Sequence, residues 1–298
     1  MRYMDVREAS EKWGISDRRI RVLCNEGRID GAIKLNWSWT IPENAPKPRD
    51  GRVLRKFRNL DIRPGNADIG AIMSLSEKTP ISPDLKCNPA LISIIADSLE
   101  FLLLESGCPI SKEAINKVLS GELDSSLSLK DHLLIINFKS ILFSLIEKKE
   151  RWFEKDLREI YIRLMQGIDD ISSSKYRDGF ARATPRSDDE VRVDVQMETL
   201  LNQYEMSWKN LNSLISGTLL YGEIARIKPY EKYSELLAYL VLAGEFMREN
   251  ILPPCLSAAT LEESRAALSL AVRRGNYADF TQFIERAVFE SYGVVSNV

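Results

Sequence analysis

The chain has 298 residues, 44% hydrophobic and 28% charged, enough for one large domain and a small one. No run of about 18 apolar residues occurs and Met1 to Asp5 lack an apolar signal core, so the expectation is a cytoplasmic protein that neither spans a membrane nor is secreted. Residues 1–58 hold 14 Lys/Arg against 8 Asp/Glu, a balance of +6 that leaves −8 on the rest for the total of −2; a basic head on an acidic body points the head toward a polyanion.

Taken in chain order, Val6, Ala9 and Trp13 fall at helical spacing, and Gly14-Ile15-Ser16 then supplies a turn and an N-cap. A second helix over about 17–26 sets Ile20, Leu23 and Cys24 on one face and Arg18, Arg21 and Asn25 on the other, closed by Gly27. The alternation from Arg28 to Pro42, on both sides of Leu35-Asn36, predicts a short hairpin or wing. Two short helices across a glycine turn, the second arginine-rich, describe a helix-turn-helix.

Glu8-Ala9, Trp13-Gly14-Ile15-Ser16, Arg18-Arg19-Ile20-Arg21, Leu23-Cys24, Glu26-Gly27-Arg28-Ile29 and Trp39-x-Ile41-Pro42 resemble the winged helix-turn-helix of the MerR/excisionase type. The resemblance implies DNA as partner, with Ser16, Arg18, Arg19, Arg21, Arg28 and Lys34 as the contacting set, and it implies a homodimer on two half-sites. Trp39 and Ile41 are read as packing the hairpin on the helices. This head is placed at 1–58.

Seven prolines and three glycines between residues 42 and 90 deny long helices, and 59–90 reads as a linker. From residue 91 the chain reads as a mainly α domain. Leu91, Ile94, Ile95, Ser98, Leu99 and Leu102 form one stripe, a short helix follows from Ser111 to Gly121, and helical runs are expected at about 129–149, 153–167, 193–216, 218–226, 233–249, 260–274 and 277–291. Strand character is confined to about 176–195, giving an all-α bundle with one short hairpin flap. The single histidine, His132, opens an apolar helical run and reads as structural; alone it excludes a multi-histidine metal centre. Cys24, Cys87, Cys108 and Cys255 have no paired spacing, which predicts free thiols and no metal.

The segment 221–240 resembles the signature of the Fic family, which transfers nucleotide monophosphates onto protein hydroxyls. The family pattern is His-Pro-Phe-x-(Asp/Glu)-Gly-Asn-Gly-Arg-x-x-Arg, and Lys228, Pro229 and Tyr230 stand at its first three positions. Weaker landmarks keep the family order: Ile115 to Gly121, Asn137, Glu159 to Met165, Lys175-Tyr176-Arg177, and Pro253-Pro254. What the resemblance implies is a Fic-like body over 91–298 with its chemistry gone. Lysine replaces the histidine base, Lys232 the metal-binding acid, Tyr233-Ser234-Glu235 the Gly-Asn-Gly anion cradle, and Leu236 and Tyr239 the arginines. Glu105 in Glu105-Ser106-Gly107 is similar to the family's inhibitory glutamate, or is a polar helix-end residue.

The reading is a DNA-binding regulatory or accessory protein whose lapsed Fic-like domain serves partner binding, oligomerisation or ligand sensing, without a cofactor. The alternative is an adenylyltransferase that moves AMP from ATP, with Mg, through an altered site. Two smaller choices stay open here. Lys228 and Lys232 hold an anionic ligand or not, and Arg177, Arg182, Arg186 and Arg192 meet a partner or form a solvated flap.

Overall fold

A computed structural model gives the structure of residues 3–25, 29, 31–35, 38–43, 45, 60, 62–81, 88–169, 175–185 and 189–296. The chain divides into two compact units, 1–56 and 57–298. The first opens with β1 (Tyr3–Met4) and α1 (Val6–Trp13). Asp5 caps α1 through a reciprocal pair: its carboxylate accepts the Arg7 and Glu8 N–H groups, and Glu8 accepts the Asp5 N–H. Gly14, at φ 63°, closes the helix in the left-handed region.

Ser16 begins α2 (Asp17–Asn25), its carbonyl accepting from Arg19 and Ile20, and α2 buries Ile20, Leu23 and Cys24 against Val6, Ala9 and Trp13. The expected cap at Gly27 and contact residue Arg28 lie outside the described residues. β2 (Ile33–Leu35) and β3 (Ser38–Pro42) pair antiparallel, as the alternation predicts. The third strand was not legible: β1 adds to the other edge of β3, Met4 opposite Ile41, and a two-residue strand carries no periodic signal.

In the second unit, part of the interval read as a linker is built into the body. α3 (Ile69–Lys78) forms there, and Leu60 and Ile72 are fully buried in the core. Arg63 pairs in parallel with Asn276: its N–H donates to Gly275 at 2.7 Å and its carbonyl accepts from Tyr277 at 3.0 Å. The prolines misled because Pro64 and Pro80 flank the run 69–78 and do not interrupt it.

The remaining elements are α4 (Pro89–Glu105), α5 (Lys112–Leu119), α6 (Leu129–Leu145), α7 (Glu154–Leu164), the hairpin β4 (Phe180–Arg182) with β5 (Glu190–Arg192), α8 (Val193–Met206), α9 (Ser213–Ile227), α10 (Ser234–Arg248), α11 (Leu261–Arg274) and α12 (Ala278–Ser296). The mainly α class with one hairpin is the expected one. At the centre lie α9 and α10. Every residue from Leu236 to Met247 is buried; α4, α6 and α7 pack on α10, while α8, α11 and α12 pack on α9.

One expected boundary moves. The runs 193–216 and 218–226 divide earlier, because Asn212 caps a new helix through the Ile215 N–H and α9 runs unbroken through Gly217. Gly217 is there for closeness, not for a turn: a Cβ would stand 3.0 Å from Leu242 and Phe246 of α10. Glu245, fully buried in α10, is satisfied by the Tyr204 hydroxyl, by Ser216 at 2.9 Å and by Arg248 at 3.4 Å. His132 is structural, as expected: its Nε2 accepts the Asp124 N–H at 3.1 Å, so the proton lies on Nδ1, facing the Ser128 carbonyl at 2.9 Å.

Gly244 faces the indole of Trp152, which a Cβ would strike, whereas Gly293 in α12 faces open space. Gly244→Ala is expected to cost about 1–3 kcal/mol through overpacking, and Gly293→Ala to be neutral or to stabilise by up to about 1 kcal/mol. Urea unfolding followed by circular dichroism measures both; equal effects at the two sites would contradict the packing described.

Candidate functional site

The loop from Lys228 to Tyr233 joins the two central helices, and both of its ends take the left-handed backbone that favours glycine: φ is 48° at Lys228 and 56° at Tyr233. Each such residue costs on the order of 1 kcal/mol, so the surroundings must impose the shape. They do so mainly through Arg177. Its Nε donates to the Lys228 carbonyl at 2.6 Å, its Nη2 to Ile227 at 3.1 Å, and its backbone N–H to Pro229 at 2.9 Å. Arg177, one of four arginines left open between partner and solvated flap, is a clamp on the loop.

Under the loop, Tyr230 is buried, its ring parallel to that of Tyr161 at 3.5 Å between centroids and tilted against Tyr176 at 5.5 Å. Ser234 closes the loop on itself, accepting the Tyr230 N–H at 3.1 Å and donating to the Tyr230 carbonyl at 2.9 Å. Tyr221 and Tyr239 are core residues; Tyr239 stacks on Phe138 and donates to the Pro254 carbonyl at 2.9 Å. Asn137 caps the end of α7, donating to the Leu164 and Gln166 carbonyls at 3.1 and 2.9 Å.

The charges around the loop are paired with carboxylates. Lys228 reaches Glu235 at 2.9 Å, and Lys232 and Lys130 share Asp169 at 3.0 and 3.5 Å. Glu235 lies in the first turn of α10, where a carboxylate complements the positive helix end. Glu105 turns away, to Arg265 of α11 at 3.0 Å, while its neighbour Ser106 stands 3.5 Å from Glu235. Of the other arginines, Arg182 and Arg192 are exposed on the hairpin, Arg192 paired with Asp194, and Arg186 lies outside the described residues. In the first unit Ser16, Arg18, Arg21 and Lys34 are exposed and Arg19 is half-buried. Lys34 stands 6.0 Å over the Trp39 ring.

This helical body around a reversed loop has known counterparts. It is similar to Fic-1 (residues 134–508) from C. elegans, at a TM-score of 0.62 and 15% identity over 83% of this chain and 73% of that one. A Fic family protein from Desulfovibrio desulfuricans G20 follows at 0.55 and 16% over 79% and 77%. The fold is that of Fic proteins. A Fic domain-containing signaling protein from Bacteroides thetaiotaomicron VPI-5482 matches at 0.53 and 14%, over 83% of this chain and 97% of that one. No protein-family model and no curated protein matches the chain.

Within that Fic fold, the residues present do not fit a magnesium nucleotide. A carboxylate, Glu235, fills the helix start where phosphate oxygens would need donors, and the Tyr230 N–H is spent on Ser234. Leu236 and Tyr239 are fully buried in the core and reach no cleft. Among the described residues no group of three or more His, Cys, Asp or Glu side chains is placed to hold a metal ion.

The sequence missed Arg177 as a clamp because its three acceptors in the loop are backbone carbonyls 50 or more residues away, which no pattern of side chains announces. The Lys228–Glu235 pair has a local signal, an acid seven residues on in the first turn of the next helix.

Burial pushes the Tyr161 hydroxyl up to about 12, and it raises Tyr176, Tyr221, Tyr230 and Tyr239 as well. A folded-state pKa above the unfolded value near 10 means stability is complete below about pH 10 and falls as pH rises toward 12. Phenolate absorbance should therefore appear together with loss of helical dichroism in one alkaline step. Ionisation of these five buried tyrosines well before helix loss would contradict the buried stack.

Proposed function

We infer that the protein is a DNA-binding regulatory or accessory protein whose Fic-like body is non-catalytic and serves partner contact, oligomerisation or ligand sensing. The observation that carries the non-catalytic half is Glu235, paired with Lys228 at the start of α10. The position of the family's histidine base thus holds an ammonium in an ion pair, and the anion cradle holds a carboxylate. A general base must offer a lone pair to the proton it takes, and an ammonium has none.

The DNA half rests on the first unit. Two short helices meet at a glycine turn and a three-stranded sheet backs them, with Arg18 and Arg21 exposed on the second helix. Those two arginines, together with Ser16 and Lys34, are the residues we assign to the polyanion, and a homodimer would present two such sets to two half-sites.

Incubation of the full chain with labelled ATP, magnesium and lysate is expected to give no protein labelling. Labelling that disappears in Lys228→Ala would establish the opposite reading, an adenylyltransferase with an altered site.

For the head, fluorescence anisotropy on a fragment from the gene's own upstream region should show binding in moderate salt. Arg18→Ala combined with Arg21→Ala should weaken it about tenfold and reduce the log–log salt slope by about 2. Both side chains are exposed, so the fold should survive, and unchanged binding would remove α2 as the recognition element.

A further inference from the structure

We propose that a buried relay, Arg226–Glu223–Tyr277, couples the β4–β5 hairpin to the backbone anchor at Arg63, so that loosening the hairpin loosens the hold on the chain at Arg63, and the reverse. At the hairpin end, the Arg226 guanidinium donates to the Arg182 carbonyl of β4 and to Gln196 of α8 at 3.2 Å. The same guanidinium is ion-paired with Glu223 at 2.6 Å, and the two side chains are 5% and 0% exposed. The other oxygen of Glu223 accepts the Tyr277 hydroxyl at 2.8 Å. Tyr277, fully buried, is the residue whose backbone N–H bonds the Arg63 carbonyl, while Arg63 in turn bonds Gly275. Each link shares a residue with the next, and the line runs from β4 to the segment that leads back to the first unit.

Three features mark this as a device and not ordinary packing. A carboxylate without solvent must be fully satisfied, so Glu223 depends at once on Arg226 and on Tyr277, and loosening one partner shifts load to the other. Gly222 leaves the space that the Tyr277 ring fills; a Cβ there would collide with it, so the ring position is set by α9 itself. Gln196 is buried with its Nε2 bonded to no protein group, so the hairpin end of the relay holds an unmet donor. The hairpin is two three-residue strands, and Arg226 and Arg177 each donate to one of its carbonyls, those of Arg182 and Phe180.

The inference takes its meaning as a signal from the function proposed above, but its test requires neither DNA nor a partner. Hydrogen exchange by mass spectrometry on the full chain compares Tyr277→Phe, which removes one hydroxyl, with the parent. Exchange in hairpin peptides covering 178–192 should rise about fivefold, the change expected when one hydrogen bond of ordinary net worth is lost, with α6 peptides unchanged. Reciprocally, Arg226→Lys, which keeps the charge but not the reach to Arg182, should raise exchange at 62–66 and 275–278. An unchanged hairpin in the first variant, an unchanged anchor in the second, or an equal rise across all peptides would overturn the coupling. If Arg226→Lys fails to fold, Gln196→Leu at the same end takes its place with the same expectation. Failure here leaves the DNA reading standing, and unchanged DNA binding in the arginine variants leaves this one standing.

Discussion

Everything in the second unit depends on a helix with no solvent face. From Leu236 to Met247, α10 is buried on all sides, so its polar groups must find partners inside the protein and its neighbours must approach closely. Glycines answer the second demand. Gly217 admits Leu242 and Phe246, and Gly244 admits Trp152, whose indole N–H donates to the Val241 carbonyl at 3.1 Å. Tyr204, Ser216 and Arg248 answer the first around Glu245. The loop that feeds this helix must then reverse the chain within six residues, and that constraint shapes the candidate site.

Two non-glycine residues in the left-handed region, Lys228 and Tyr233, hold the reversal, with Arg177 on three consecutive carbonyls outside and the Tyr161–Tyr230 stack beneath. The conformation is thus imposed by Arg177 and Tyr161 from outside the loop together with the loop's own Tyr230 and Ser234. Where Fic proteins keep small residues so that backbone N–H groups can meet phosphates, this loop has Ser234 bonded back to Tyr230 and Glu235 bonded to Lys228. The frame of the site carries the core, and the loop's polar groups are spent on internal bonds.

Much of the helical body was legible, because an amphipathic or fully buried helix leaves a 3.6-residue trace and capping residues such as Ser111, Ser128 and Asn88 stand at its starts. The hairpin at 180–192 was legible as the one strand-like interval. Illegible were features set by distant contact. α3 hid behind flanking prolines, β1 is too short for a period, and the break at Asn212 competed with the stronger breaker signal of Gly217. At the site, the sequence disclosed which residues had been replaced but not what replaced their interactions, since a lysine–glutamate pair across a loop and an arginine on carbonyls are tertiary facts.

The pairing of Glu235 with Lys228 is the feature of the loop between α9 and α10 that opposes nucleotide binding. Isothermal titration of the full chain with ATP and magnesium tests it most directly, at protein concentrations that would detect a Kd of about 1 mM, the weak end of specific binding. No saturable heat is expected. A saturable isotherm that Lys228→Ala or Glu235→Ala alters would contradict it, by placing a working anion site where the structure has an ion pair.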